Sequence, residues 1–220
     1  MDIISFKLLK KTAKMAYGYI MSENPRGFFA KRALDKIIAN MVIINNYAPA
    51  GVPFNPDSFV KEIKVALVTL LRDIARISHN TYVDVLPSTI DARLIVNDMV
   101  DTNAKVDTYL FNIARSCDDY MVRIHAIDCM TNQENLVFIA SQPAFYTDQM
   151  RIAAIQHIND QKFLEKIASD TKEHSYELRS TAIRRITDQE ILARMIRSDY
   201  DVTLLGVAHE QLKKHRKDLA

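Results

Sequence analysis

The side chains with most chemistry to offer are six histidines, two cysteines, a pair of aspartates and a row of arginines. The histidines are His79, His125, His157, His174, His209 and His215. A metal site needs several of them, with cysteines or carboxylates, converging at ligand spacing. No H-E-x-x-H occurs, and His209 and His215, six residues apart, fall on different faces of a helix. Cys117 and Cys129 fit no metal or redox spacing and read as reduced, mostly buried thiols. Asp160 and Asp188 could serve as an acid–base pair, but Asn132 fills the third equivalent position, which points to helix capping. Arg123, Arg151 and Arg179 stand 28 residues apart, twice. They offer a basic ladder for phosphate or an acidic partner. The structural reading is preferred: each arginine reaches a turn aspartate or a carbonyl of an adjacent unit, because Asn132, Asp160 and Asp188 recur beside them. Four glycines in 220 residues leave no glycine-rich phosphate loop, and no G-x-S-x-G is present. The expectation is no catalytic residue, no metal and no cofactor, and hence not an enzyme.

The elements that position these residues repeat. Arg123-Ile-His-Ala-Ile127, Arg151-Ile-Ala-Ala-Ile155 and Arg179-Ser-Thr-Ala-Ile183 are followed in step by Met130, Ile158 and Ile186. Then come Gln133, Gln161 and Gln189, and then Leu136, Leu164 and Leu192. Asp119, Thr147, Ser175 and Thr203 keep the register of a first-helix N-cap, and Asn132, Asp160 and Asp188 that of a second. Agreement of anchors, turns and caps at one period predicts three two-helix units, 119–146, 147–174 and 175–202. A worn unit is expected before them, from Asp91, because Leu110-Phe-Asn-Ile-Ala114 matches Leu136-Val-Phe-Ile-Ala140 at a spacing of 26. A half unit from Thr203 would close the array with a charged end.

This pattern resembles the HEAT-like helical repeats, in particular their short bacterial variety, over roughly residues 91–215. The resemblance implies an α-solenoid whose second helices line a concave face. It also implies a non-enzymatic module that binds a protein partner through that surface. The candidate contacts are Lys162, Glu165 and Lys166 in one unit and Glu190, Arg194 and Arg197 in the next. Their mixed signs suit a protein better than a polyanion. A solvated face is the alternative. A helical-repeat DNA glycosylase is the enzymatic use of such a stack; the chain has no tryptophan, which such enzymes rely on.

Residues 1–80 read as a helical N-terminal region preceding the repeats of 81–220, and the whole as an all-α protein. A first helix over 3–21 has an apolar side and a lysine side. After a stop at Ser22–Asn24, a second helix is expected, with Pro25 in its first turn, running to about Tyr47; it is apolar nearly all round and is expected at the centre of its core. Phe28 and Phe29 are expected to pack inside, with an exposed aromatic–basic contact beside Arg26, Lys31 and Arg32 as the alternative. Ala48 to Pro56 is a loop. A third helix, capped at Asp57 or Ser58, should end at His79-Asn80, with Thr81 to Leu86 an extended connector or one more turn.

The formal charge is only +2, unevenly spread. Residues 1–40 hold eight lysines and arginines against three acids, whereas 41–120 hold seven against ten. Lys7, Lys10, Lys11 and Lys14 recur at helical spacing, and Lys213, Lys214, Arg216 and Lys217 form a second cluster. Both sets are solvated faces by default; the alternatives are nucleic-acid binding or an acidic protein. No run approaches the length of a membrane span, no secretion signal is recognised, and a cytoplasmic protein without a membrane partner is expected.

Overall fold

The structure is a computed structural model that describes the backbone of residues 3–44, 60–84, 90–197 and 201–217, and side chains over 8–40, 60–76, 101–197 and 201–214. The protein is all-α: the described residues form eleven helices and no strand. They fall into two compact units, Met1–Met130 and Thr131–Ala220.

The first unit holds α1 (Ile3–Ile20), α2 (Phe28–Ile44), α3 (Val60–Asp84), α4 (Ile90–Ser116) and α5 (Tyr120–Asp128). α1 packs against α2, α3 and α4, and α3 against α4 and α5. The core is built from Leu9, Ala13, Ala16 and Ile20 of α1, Leu67, Leu71 and Ile74 of α3, and Val106, Leu110 and Ile113 of α4, all buried. These residues recur at three- and four-residue spacing, the stripe that a helix must hide from water.

Three expectations change here. α2 is not central: it packs on α1 through Ala30, Leu34 and Ile37, and leaves Phe28 72% and Phe29 84% exposed. It also starts three residues after Pro25. The Gly27 N–H donates to Asn24 O (3.1 Å) and the Lys31 N–H to Gly27 O (3.0 Å), so a closed turn precedes the helix. A Cβ on Gly27 would lie 2.9 Å from Asn24 Nδ2 and 3.2 Å from Asn24 O, so the turn leaves little room for a side chain there. Second, α3 runs through His79-Asn80 to Asp84. Neither residue breaks a helix, and propensity differences of a few tenths of a kcal/mol are a weak stop signal. Third, Ile90–Ser116 is one helix of 27 residues and not a helix pair. That stretch contains neither glycine nor proline, so nothing interrupts it. The expected helix end at Tyr47, the Ala48–Pro56 loop and the Asp57/Ser58 cap lie outside the described residues.

The second unit holds α6 (Gln133–Ser141), α7 (Asp148–Ile155), α8 (Gln161–Ser169), α9 (Tyr176–Arg185), α10 (Gln189–Arg197) and α11 (Val202–Lys217). α7 packs on α9 and α9 on α11, while α6 packs on α7, α8 on α9 and α10 on α11. Leu136, Ile139, Met150, Ala154, Ile158, Leu164, Ile167, Leu178, Ile183, Ile186, Leu192 and Met195 are buried between them. With eight to ten residues, α6 to α10 are too short to persist alone in water and depend on this packing.

Side chains cap these short helices where the period places them. Asn132 accepts from the Asn135 N–H (3.0 Å), and Asp160 from Lys162 (3.0 Å) and Phe163 (3.1 Å). Asp188 accepts from Glu190 (2.9 Å) and Ile191 (3.2 Å). Thr147 and Ser175 cap α7 and α9, and in the first unit Asp119 caps α5. The exception is α11, where Asp201 and not Thr203 takes the cap position. Its carboxylate accepts both the N–H (3.1 Å) and the hydroxyl (2.6 Å) of Thr203.

Candidate functional site

The arginine row has structural partners. Arg123 Nε donates to Ala114 O (2.8 Å), Arg151 Nε to Ala140 O (2.9 Å) and Arg179 Nε to Ala168 O (3.0 Å). Ala114, Ala140 and Ala168 lie in the last turns of α4, α6 and α8, where helix carbonyls lack intrahelical partners and the dipole favours a cation. Each arginine therefore caps the C-terminus of the helix before it. The aspartates Asp160 and Asp188 expected beside the row serve α8 and α10 instead. Arg151 and Arg179 are buried, and both Nη atoms of Arg151 and Nη1 of Arg179 make further bonds. Arg151 reaches Asp148 (3.2 Å) and His174 Nδ1 (2.9 Å), and Arg179 reaches Asp201 (2.9 Å). A side chain so committed offers no ladder to phosphate. Ala114 takes the same role as Ala140 at the 26-residue offset seen in the sequence, although α4 is a single helix.

The recurring glutamines tie turn to turn. Gln133 Nε2 donates to His157 O (3.1 Å), and the Asn159 N–H donates to Gln133 Oε1 (2.9 Å). Gln161 Oε1 accepts from the backbone of Thr187 (2.7 Å) and Asp188 (3.2 Å). The sequence marked these residues by register alone; their role lies in a bond to a turn about 26 residues further on.

The two cysteines are buried and unbridged. Cys129 Sγ lies 3.9 Å from His125 Nε2, which is also 2.8 Å from Thr69 Oγ1. This is not an activated nucleophile. Burial pushes the Cys129 thiol up to about 11 and pulls the His125 imidazole below its ordinary value, so both favour their neutral forms. The contact joins α5 to α3. Among the described residues, no group of three or more histidines, cysteines or carboxylates is placed to hold a metal ion.

A cleft of about 570 Å³ lies open to solvent in the second unit, formed by the N-terminal ends of α8 and α10. Asp160, Gln161, Lys162, Glu165, Asp188, Glu190, Ile191 and Arg194 line it. Four of the six expected contact residues, Lys162, Glu165, Glu190 and Arg194, meet there; Lys166 and Arg197 are exposed but stand apart from its lining. Arg194 Nε and Nη2 both donate to Glu165 Oε1 (3.1 and 2.6 Å), a bridge between α8 and α10. That bond holds the Arg194 guanidinium above its ordinary value, fully charged. Asp160 and Asp188 are already spent on backbone N–H groups. Lys162 and Glu190, both exposed, are therefore the charges most available to a ligand.

The two basic sets are placed differently. Lys11 and Lys14 are exposed on α1, whereas Lys10 pairs with Asp101, which also holds Lys105 at 2.9 Å. Lys213 and Lys214 are exposed on α11. The side chains of Lys7, Arg216 and Lys217 lie outside the described set. No described helix is long and apolar enough to cross a membrane. Compared with protein-family models, with curated proteins and with solved structures, the chain matches none of them.

Proposed function

We propose that the chain is a HEAT-like helical-repeat protein that binds another protein, without catalysis, over the α8–α10 cleft. The observation that supports this most is the division of labour among polar residues. Those that recur with the period are consumed by the fold, whether as caps, as C-terminal clamps or as turn-to-turn bonds. Of those that line the cleft at non-recurring positions, Lys162 and Glu190 are left to solvent, while Glu165 and Arg194 pair across it. Glu134, Lys162 and Glu190 occupy one register position, and Val137, Glu165 and Ala193 another. A scaffold of fixed internal bonds with a variable charged surface is the arrangement expected of a recognition module. Both signs lie within one cleft, which favours a protein surface over a polyanion. The cleft has carboxylates but no aromatic lining, which weighs against an enzyme that must stack a flipped base.

A photo-crosslinking residue placed at Lys162 or Glu190 in the living cell tests the proposal. It should capture one defined protein, and the K162E/E190K double variant should abolish the capture. Capture of nothing above background, or capture unchanged by charge reversal, would remove it. The exposed Lys11 and Lys14 support a second reading, nucleic-acid binding. It requires retention in a gel shift at low salt that falls steeply as salt rises.

A further inference from the structure

Phe28 and Phe29 open α2 at 72% and 84% exposure, with ring centroids 5.6 Å apart and planes at 77°. Large apolar side chains this exposed, adjacent and in mutual contact form a patch that folding has left uncovered. Arg26, Lys31 and Arg32 around them are all exposed. On the helix, Lys31 and Arg32 lie three and four residues from Phe28, and Arg32 three from Phe29. Both cations thus rise from the turn beside the rings. The patch also lies in the most basic stretch of the chain, residues 1–40, with eight cations against three acids.

We propose that this end of α2 docks on an anionic phospholipid surface. The phenylalanines enter the acyl boundary, and Arg26, Lys31 and Arg32 hold the headgroup phosphates. Apolar side chains flanked by cations fit such an interface, because burial of the rings and attraction to acidic lipids add. Ring geometry favours lipid over single-stranded nucleic acid. Successive bases stack on ring faces offered in a row, whereas two rings near perpendicular make a wedge. Phenylalanine also has no polar atom to lose on entering hydrocarbon, so the wedge enters without an unpaired donor. Contact with one leaflet needs no spanning helix. The face belongs to the first unit and is independent of the α8–α10 cleft.

Sedimentation of the full chain with vesicles tests this, using phosphatidylcholine alone and phosphatidylcholine mixed with phosphatidylserine. The protein should pellet with the mixed vesicles and stay in solution with the neutral ones. The F28S/F29S variant should bind at least about tenfold more weakly, and K31E roughly fivefold or more weakly. Both phenylalanines are more than two-thirds exposed, so the double variant should keep its helicity by circular dichroism. If it does not, the K31E variant and the neutral-vesicle arm decide. The proposal is overturned by no pelleting with mixed vesicles, by equal pelleting with both kinds, or by binding unchanged in the variants. Oligonucleotide binding that F28S/F29S abolishes would also overturn it, in favour of a nucleic-acid face.

Discussion

Replacing Arg151 by methionine tests whether the arginine row is a set of helix clamps. The side chain is 2% exposed, so methionine refills most of its volume and the loss reads as lost bonding. The bond from a guanidinium to a buried carbonyl, here Ala140 O, contributes about 1.5–3 kcal/mol, and that to His174 about 1 kcal/mol. The link to Asp148, whose carboxylate is 52% exposed, adds little. Against this, removing a buried cation recovers part of its desolvation cost. The balance stays unfavourable because the Ala140 carbonyl and the imidazole remain behind without their donor. A net loss of about 2 kcal/mol follows. In urea, with a slope of about 1 kcal/mol/M for a unit of this size, the midpoint should fall by roughly 1–2 M. Circular dichroism at the helix band reads it. The control is Arg194→Met in the same unit, whose guanidinium is 57% exposed and paired at the surface; it should move the midpoint little. If R151M unfolds within error of the unmodified chain, or R194M costs as much, the clamps do not stabilise the fold as argued.

Two further outcomes follow from the buried polar contacts of the first unit. Burial holds His125 below its ordinary value of 6.5 in the folded chain, so unfolding takes up protons as the pH drops. Stability should be full above about pH 6.5 and fall from there down through the depressed folded value; His125→Gln, measured by urea midpoint at about pH 7.5 and about pH 5.5, should flatten that slope. An equal slope in both proteins would show that His125 is not the titrating group. Cys117 and Cys129 are each about 5% exposed or less, and the Cys129 thiol sits near 11. Neither should react with a thiol reagent at neutral pH until denaturant is added, and a rapid native-state reaction would contradict their burial.

The caps, anchors and helix identities of residues 119–197 were legible in the sequence because they are local. An N-cap bond spans two or three residues and an apolar stripe three or four, so residue type and spacing carry the information. The arginines were legible as a periodic row reaching a turn aspartate or a carbonyl of an adjacent unit, but which of these accepts was not legible. The reach from Arg151 to Ala140 crosses eleven residues and a change of helix, and its acceptor is a backbone carbonyl that any residue supplies. The same limit hid the length of α4, where a second-helix motif, Leu110 to Ala114, sits at the end of an unbroken helix.

Composition and period, then, determined that this protein is helical, where its short helices start, and which charged residues do not recur. Tertiary structure decided which of those charges meet at the α8–α10 cleft. It also decided that Phe28 and Phe29 face water, because exposure depends on how many neighbours a helix has. α2 is apolar enough to sit inside a core, but it packs on α1 through one face, and the start of its other face is left to solvent.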